Sequence, residues 1–316
     1  MKMDDCCGLR CIRREIVRII IERFQGAMMT FPGIEPANQA EEEKEGLCEV
    51  EEMLNNPYMN RGEVPLAMDI FKPVVPEETE LPVIVMIHGG GLVVGDRSNA
   101  RKFAKTLAKR GYLVFSIEYR LAPRANACEQ LDDVCAGMDL VGMRLVDFNV
   151  DFTRIFLTAE SAGAYLAIYV AAMKRSKALQ KAIGYEPTRM YFKALGLMSG
   201  MFYTNRDDLI GCLLADQFYG NKASDPEFEK YLDPENPEIL LNLPPAFLVT
   251  SRGDFLNRYT LMYHSALKKA GRKSHLVYYG EKELIHSFPN TIPEHEKSID
   301  AIEKMLAYFE EQARRD

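Results

Sequence analysis

Two short runs and two isolated residues carry groups able to do covalent chemistry. The first run is Ala159-Glu160-Ser161-Ala162-Gly163. An apolar stretch, 155–158, leads into it, and residues 164–173, the longest apolar run in the chain, lead out. A serine held where a strand turns sharply into a helix needs small residues two places to either side, and that turn presents the hydroxyl as a nucleophile. The competing reading is a serine that caps a helix. The second run is His88-Gly89-Gly90-Gly91, directly after apolar residues 83–87. With 5 His and 21 Gly in 316 residues, a random chain holds about 0.0015 such runs, so this one asks for a reason. Three glycines turn the chain without Cβ clashes and aim several N–H groups at one point. A phosphate or an oxyanion could sit there. The Lys-Ser/Thr of a phosphate loop and the spacing of a dinucleotide fingerprint are both absent. An oxyanion fits better, with the amide of Ala162 as a further donor.

A serine hydroxyl needs a base, and the base an orienting acid. His88 belongs to the glycine run, His264 falls mid-helix, His275 starts a strand, and His295 lies in a charged helix start. His286 alone follows the last strand in a loop, Glu283-Leu284-Ile285-His286-Ser287-Phe288. Asp254 comes just after the apolar run 247–250; alone it reads as a helix cap. The chain order Ser161, Asp254, His286 at successive strand ends is the order that one sheet architecture requires.

The elements that must position these residues are legible as a pattern. Candidate strands are 47–54, 66–71, 83–87, 113–117, 155–158, 194–198, 247–250 and 276–279. Helical periodicity marks 98–110, 127–146, 162–176, 256–270 and 294–312. Continuous apolar strands separated by helices predict a mostly parallel sheet covered on both faces. The first two strands, joined across 55–63 by a turn-rich connection, predict an antiparallel edge. Residues 203–242 hold Asp225-Pro226, Asp233-Pro234 and Asn236-Pro237, read as turns and breaks in an excursion. In such sheets an excursion usually lies over the carboxyl ends of the strands, where ligands bind.

At 47% hydrophobic and 27% charged, the chain is that of a folded protein, not a disordered or fibrous one. Single cores stop growing near ~250–300 residues, which predicts one large domain with an appended piece. The net charge of −7 gives no footprint for nucleic acid, and no apolar run approaches the ~18 residues of a membrane span. Ile19-Ile20-Ile21 is flanked by Arg18 and Glu22, so no secretory signal is expected. Seven irregularly spaced cysteines then read as reduced thiols of a cytoplasmic protein. Cys7 and Cys11 could share a helical face, but two more ligands at zinc spacing are missing. Residues 9–28 place Leu9, Ile12, Ile16, Ile19, Ile20 and Phe24 on one helical stripe, expected to cover part of the protein itself.

Taken together, the chain resembles the hormone-sensitive-lipase-like branch of the α/β-hydrolase esterases over about residues 64–290. The likeness rests on His88-Gly89-Gly90-Gly91, Tyr119-Arg120-Leu121-Ala122-Pro123, Ala159-Glu160-Ser161-Ala162-Gly163, Asp254-Phe255-Leu256 and Ile285-His286-Ser287-Phe288. It implies an eight-stranded α/β-hydrolase fold with a helical cap. Residues 1–45 would form a cap segment and 46–316 the catalytic domain, with a cap insertion at about 203–242. It implies Ser161 as nucleophile, His286 and Asp254 as its partners, and the amides of Gly89, Gly90, Gly91 and Ala162 as the oxyanion hole. The expected activity is that of a serine carboxylesterase on short- to medium-chain acyl esters, through an acyl-enzyme on Ser161, with no cofactor and no metal. A peptidase of this fold and a non-catalytic ligand-binding protein are the alternatives; family receptors that have lost catalysis lack one of the three residues. A homodimer is the family-level expectation. The family commonly has Gly where Ala159 and Ala164 stand, an acid at Arg124, and Pro at Phe255.

Overall fold

The central strands form from short runs rich in Val, Ile, Leu and Phe that are closed by turn residues, whereas the outermost, VEEMLNNPYMNR, is mostly polar. The computed structural model describes residues 47–62, 64–186, 190–206, 208, 210 and 225–315. Its strands are β1 (Val50–Arg61), β2 (Val64–Pro73), β3 (Leu81–Ile87), β4 (Leu113–Ile117), β5 (Val150–Glu160), β6 (Leu195–Met198), β7 (Ala246–Ser251) and β8 (Ser274–Tyr279). They form one sheet in the order β1-β2-β4-β3-β5-β6-β7-β8. β1 pairs antiparallel with β2 and β2 with β4; the remaining pairings are parallel.

Among the described residues the longer helices are α1 (Arg101–Ala108), α2 (Ala127–Arg144), α3 (Ala162–Met173), α4 (Lys177–Ile183), α5 (Asn257–Lys269) and α6 (Glu296–Ala313). Alternation along a strand assigns the faces. Val83, Val85 and Ile87 join the core under α2, α3 and α5, whereas Ile84 and Met86 join that under α1 and α6. α3 is buried on every side, as a helix apolar all round must be.

Two local readings need correction. Residues 55–61 are strand, since β1 runs on to Arg61 with register shifts at Met53/Asn56 and Pro57/Met59. Asn and Pro look like a turn, but β1 is the outer strand, where a missing N–H and a bulge are tolerated. Asp225-Pro226 and Asn236-Pro237 likewise begin short helices instead of breaking the chain. Each polar side chain accepts an N–H of the first turn, and proline is at home in that turn. The expected cap segment 1–45, the stripe at 9–28 and most of residues 207–224 lie outside the described residues. From the rest of the excursion, Phe228, Tyr231 and Ile239 enter the α3 core. Among the described residues no helix is long and apolar enough to cross a membrane.

Candidate active site

Ser161 sits at the junction of β5 and α3 with φ 52° and ψ −120°, a conformation costly for any residue with a Cβ. The neighbours hold it there. Its N–H donates to the Met198 carbonyl at 2.9 Å, and its own carbonyl accepts from Met201 N–H at 2.9 Å. Gly163 lets α3 close on the end of β3: a Cβ there would stand 2.3 Å from the Ile87 carbonyl oxygen and 2.5 Å from that of His88. No L side chain fits in that gap. Ala159, where glycine is usual, is a buried strand residue paired with Ile87 and Leu197, a position that accepts a methyl group.

The structure brings Ser161, Asp254 and His286 together although 125 residues separate the first from the last. His286 Nε2 is 2.9 Å from Ser161 Oγ, and His286 Nδ1 is 2.7 Å from Asp254 Oδ1. A carboxylate only accepts, so Nδ1 carries the hydrogen and Nε2 is left to accept from the serine hydroxyl. Asp254 is 1% exposed. Thr250 Oγ1 donates to its other oxygen at 2.6 Å, and Leu256 N–H to Oδ1 at 2.8 Å. Burial works to raise its pKa, but the hydrogen bonds from His286, Thr250 and Leu256 outweigh it and hold the carboxyl below its usual value.

The four remaining histidines are engaged elsewhere. His88 Nε2 lies 2.9 Å from Glu118 Oε1 and Nδ1 2.8 Å from the Gly89 carbonyl, with the ring stacked on Tyr119. His264 bonds Ser274, His275 lies between Phe247 and Tyr308, and His295 caps α6.

The glycine loop turns back on itself: Val93 and Val94 both donate to the Gly90 carbonyl, at 3.1 and 2.9 Å. Gly90 has φ +103°, and a Cβ there would meet the Val94 carbonyl oxygen at 1.9 Å. Among the described residues the N–H groups of Gly90 and Gly91 have no partner, and that of Ala162, first in α3, has no intrahelical acceptor. Gly89 departs from the expected donor set. Its N–H donates to Glu160 Oε1 at 2.7 Å, so it cannot also serve a bound oxyanion. A strong carboxylate acceptor within the protein has taken it.

Glu160 is the residue that sequence reasoning missed. Its second oxygen accepts from Ser287 Oγ at 2.7 Å, so one carboxylate beside Ser161 ties the glycine loop to the turn carrying His286. The only available signal was a charged residue between two small ones in the serine run. Glu118 was missed too: besides His88 it meets Arg97 Nη1 at 3.0 Å, and Arg97 meets buried Asp69 at 3.0 Å. Among the described residues no group of three or more His, Cys, Asp or Glu side chains is disposed to hold a metal ion. An array of this kind can transfer a serine proton to an imidazole and stabilise a negative oxygen.

Comparison with known proteins shows the family and the fold. Residues 84–290 match a family model described as alpha/beta hydrolase fold. Carboxylesterase NlhH of Mycobacterium tuberculosis is 31% identical over 229 residues, 69% of this chain and 69% of that protein. A probable isoprenylcysteine alpha-carbonyl methylesterase of Oryza sativa subsp. japonica is 26% identical over 228 residues, 68% of this chain but 54% of that protein. The chain thus spans about half the length of the rice relative. The crystal structure of esterase B from Lactobacillus rhamnosis superposes with a TM-score of 0.80 at 21% identity, covering 95% of this chain and 97% of that one, a likeness of fold.

Proposed function

The chain belongs to the α/β-hydrolase fold family, and from that premise we propose that it is a serine carboxylesterase acting on small-molecule esters. What carries the reading is one observation: Ser161 Oγ, on a strained turn, faces His286 Nε2, whose other nitrogen is tied to a buried carboxylate.

In this mechanism Ser161 Oγ attacks the ester carbonyl carbon as its proton passes to His286 Nε2. The negative oxygen is met by N–H groups of Gly90, Gly91 and Ala162, each donor worth about 10²–10³ in rate. Collapse breaks the carbon–oxygen bond to the alcohol, which leaves with the proton from Nε2. Water then attacks the acyl-enzyme, giving a proton to the same nitrogen, and the carboxylic acid departs as Ser161 recovers its hydrogen. Asp254 keeps the imidazole in the tautomer both halves need.

The excursion 203–242 leaves the sheet beside the serine, as Met201 bonds the Ser161 carbonyl. That origin supports its role as a roof over an acyl pocket of limited depth; a share for residues 1–45 in that cap rests on the family likeness alone. Short- to medium-chain acyl groups of about two to eight carbons then suit the site better than long ones. The free thiols Cys48 and Cys135 support a reducing, cytoplasmic setting; a homodimer is carried by the family likeness alone.

The test pairs a fluorophosphonate probe with nitrophenyl esters from acetyl to palmitoyl and a matched anilide. Labelling at Ser161, lost with turnover in Ser161→Ala, and fastest hydrolysis of short esters are expected. Labelling at another serine removes the assignment, preference for the anilide points to a peptidase, and fastest cleavage of emulsified palmitoyl ester points to a true lipase.

A further inference from the structure

We propose that Phe255, flanked by Ile285, forms the wall that receives the alcohol half of the ester, and that this wall selects apolar, ring-bearing alcohols. The inference rests on the ester-hydrolase reading and names the substrate class of that same site. The Phe255 ring lies against the imidazole of His286, with centroids 4.4 Å apart and planes inclined by 40°. Yet Phe255 is 68% exposed, and Ile285, next in chain to His286, is 39% exposed. An aromatic ring packed on one side and open on the other has a face left for something else to cover.

The reaction geometry says what that is. The leaving oxygen must take its proton from His286 Nε2, so in the transition state it lies within about 3 Å of that nitrogen. The carbonyl oxygen lies toward the amides of Gly90, Gly91 and Ala162, on the other side of Ser161. Groups beside the imidazole therefore border the alcohol, and groups beside the glycine loop border the carbonyl. Beside the imidazole stands an open phenyl ring, the exposed branched chain of Ile285 is one residue from His286, and neither side chain has a donor or acceptor. Such a surface gains from covering an apolar ring, through burial and through offset or edge-on ring contact. It offers a sugar or other polyol no hydrogen bond and leaves a methyl group little to touch.

The experiment compares benzyl butanoate with methyl butanoate, which share an acyl group, on the full chain and its variants. The readout is the ratio of the two kcat/KM values. Phe255→Ala should lower the benzyl-to-methyl ratio about tenfold, and Phe255→Leu by about threefold, because part of the apolar surface remains. Tyr278→Ala, on the exposed edge strand β8, should leave the ratio unchanged. The fluorophosphonate labelling rate of each variant reports whether Ser161 and His286 are still assembled. Equal loss on both esters in Phe255→Ala would mean that the ring only steadies the imidazole, and it overturns the proposal while the ester reading stands. A wild-type chain that is unlabelled and hydrolyses neither ester overturns the reading first and the proposal with it.

Discussion

On one flank of Ser161 the glycine loop is embedded in partly buried polar and charged groups: His88 on Glu118, Glu118 on Arg97, Arg97 on Asp69, and Gly89 on Glu160. Tyr119, whose hydroxyl burial keeps protonated, adds a hydrogen bond to the His88 carbonyl at 2.9 Å. On the other flank His286 is held from behind by Asp254 but open in front, with Phe255 exposed beside it. The difference follows from what each side meets. Negative charge develops on the same carbonyl oxygen whatever the ester, so donors fixed in advance serve every substrate. Beyond the leaving oxygen, substrates differ, and a surface left open can be shaped to one class.

The comparison breaks most severely at Asp254, the buried support of the open side. Asp254→Asn should lower kcat on the order of 10⁴ by presenting the wrong imidazole tautomer, as in serine-protease triads. Steady-state kinetics beside an unchanged melting temperature would measure it, and a loss below tenfold would remove Asp254 from its role. Acidification tests the two flanks differently. The acid limb of kcat/KM should fall about tenfold per pH unit, because the mechanism needs one group free to take the serine proton. Asp254 and Asp69 have folded pKa values held below the ordinary carboxylate value. Their contribution to stability is therefore full above the unfolded value near ~3.9 and is lost as pH falls through the lower folded value. The melting temperature should thus hold above about pH 4 and fall below it, measured beside kcat/KM over the same range. A melting temperature that tracks kcat/KM down would mean that unfolding, not one imidazole, sets the limb.

The smallest effect sharpens the comparison at the residue that joins the flanks. Glu160→Ala leaves the buried Gly89 N–H without an acceptor and frees Ser287, so kcat should drop about tenfold while KM stays within about twofold. Glu160→Gln, which keeps one acceptor oxygen and can donate to the Ser287 hydroxyl, should recover most of that loss. Equal damage in both variants would point to general disruption of the turn instead of positioning.

What the sequence by itself determined was local or periodic. Apolar runs and their spacing specified eight strands and the helices between them, because burial on both faces of a parallel sheet leaves little freedom in residue type. The serine run and the glycine run were legible because each needs backbone shapes that few residues allow, as Gly163 and Gly90 show. Asp254 and His286 were legible only as strand-end residues in the right order. The tertiary structure decided the rest. The continuation of β1 through Pro57 depended on its being the outer strand, which no local window encodes. The loss of Gly89 from the donor set depended on Glu160, a residue 71 positions away in the chain. The placing of Phe255 against His286 joined two loops that sequence order alone leaves apart. Hydrogen bonds and ring contacts between distant loops are fixed by how the strand ends converge, and the sheet order brings them together only once the chain has folded.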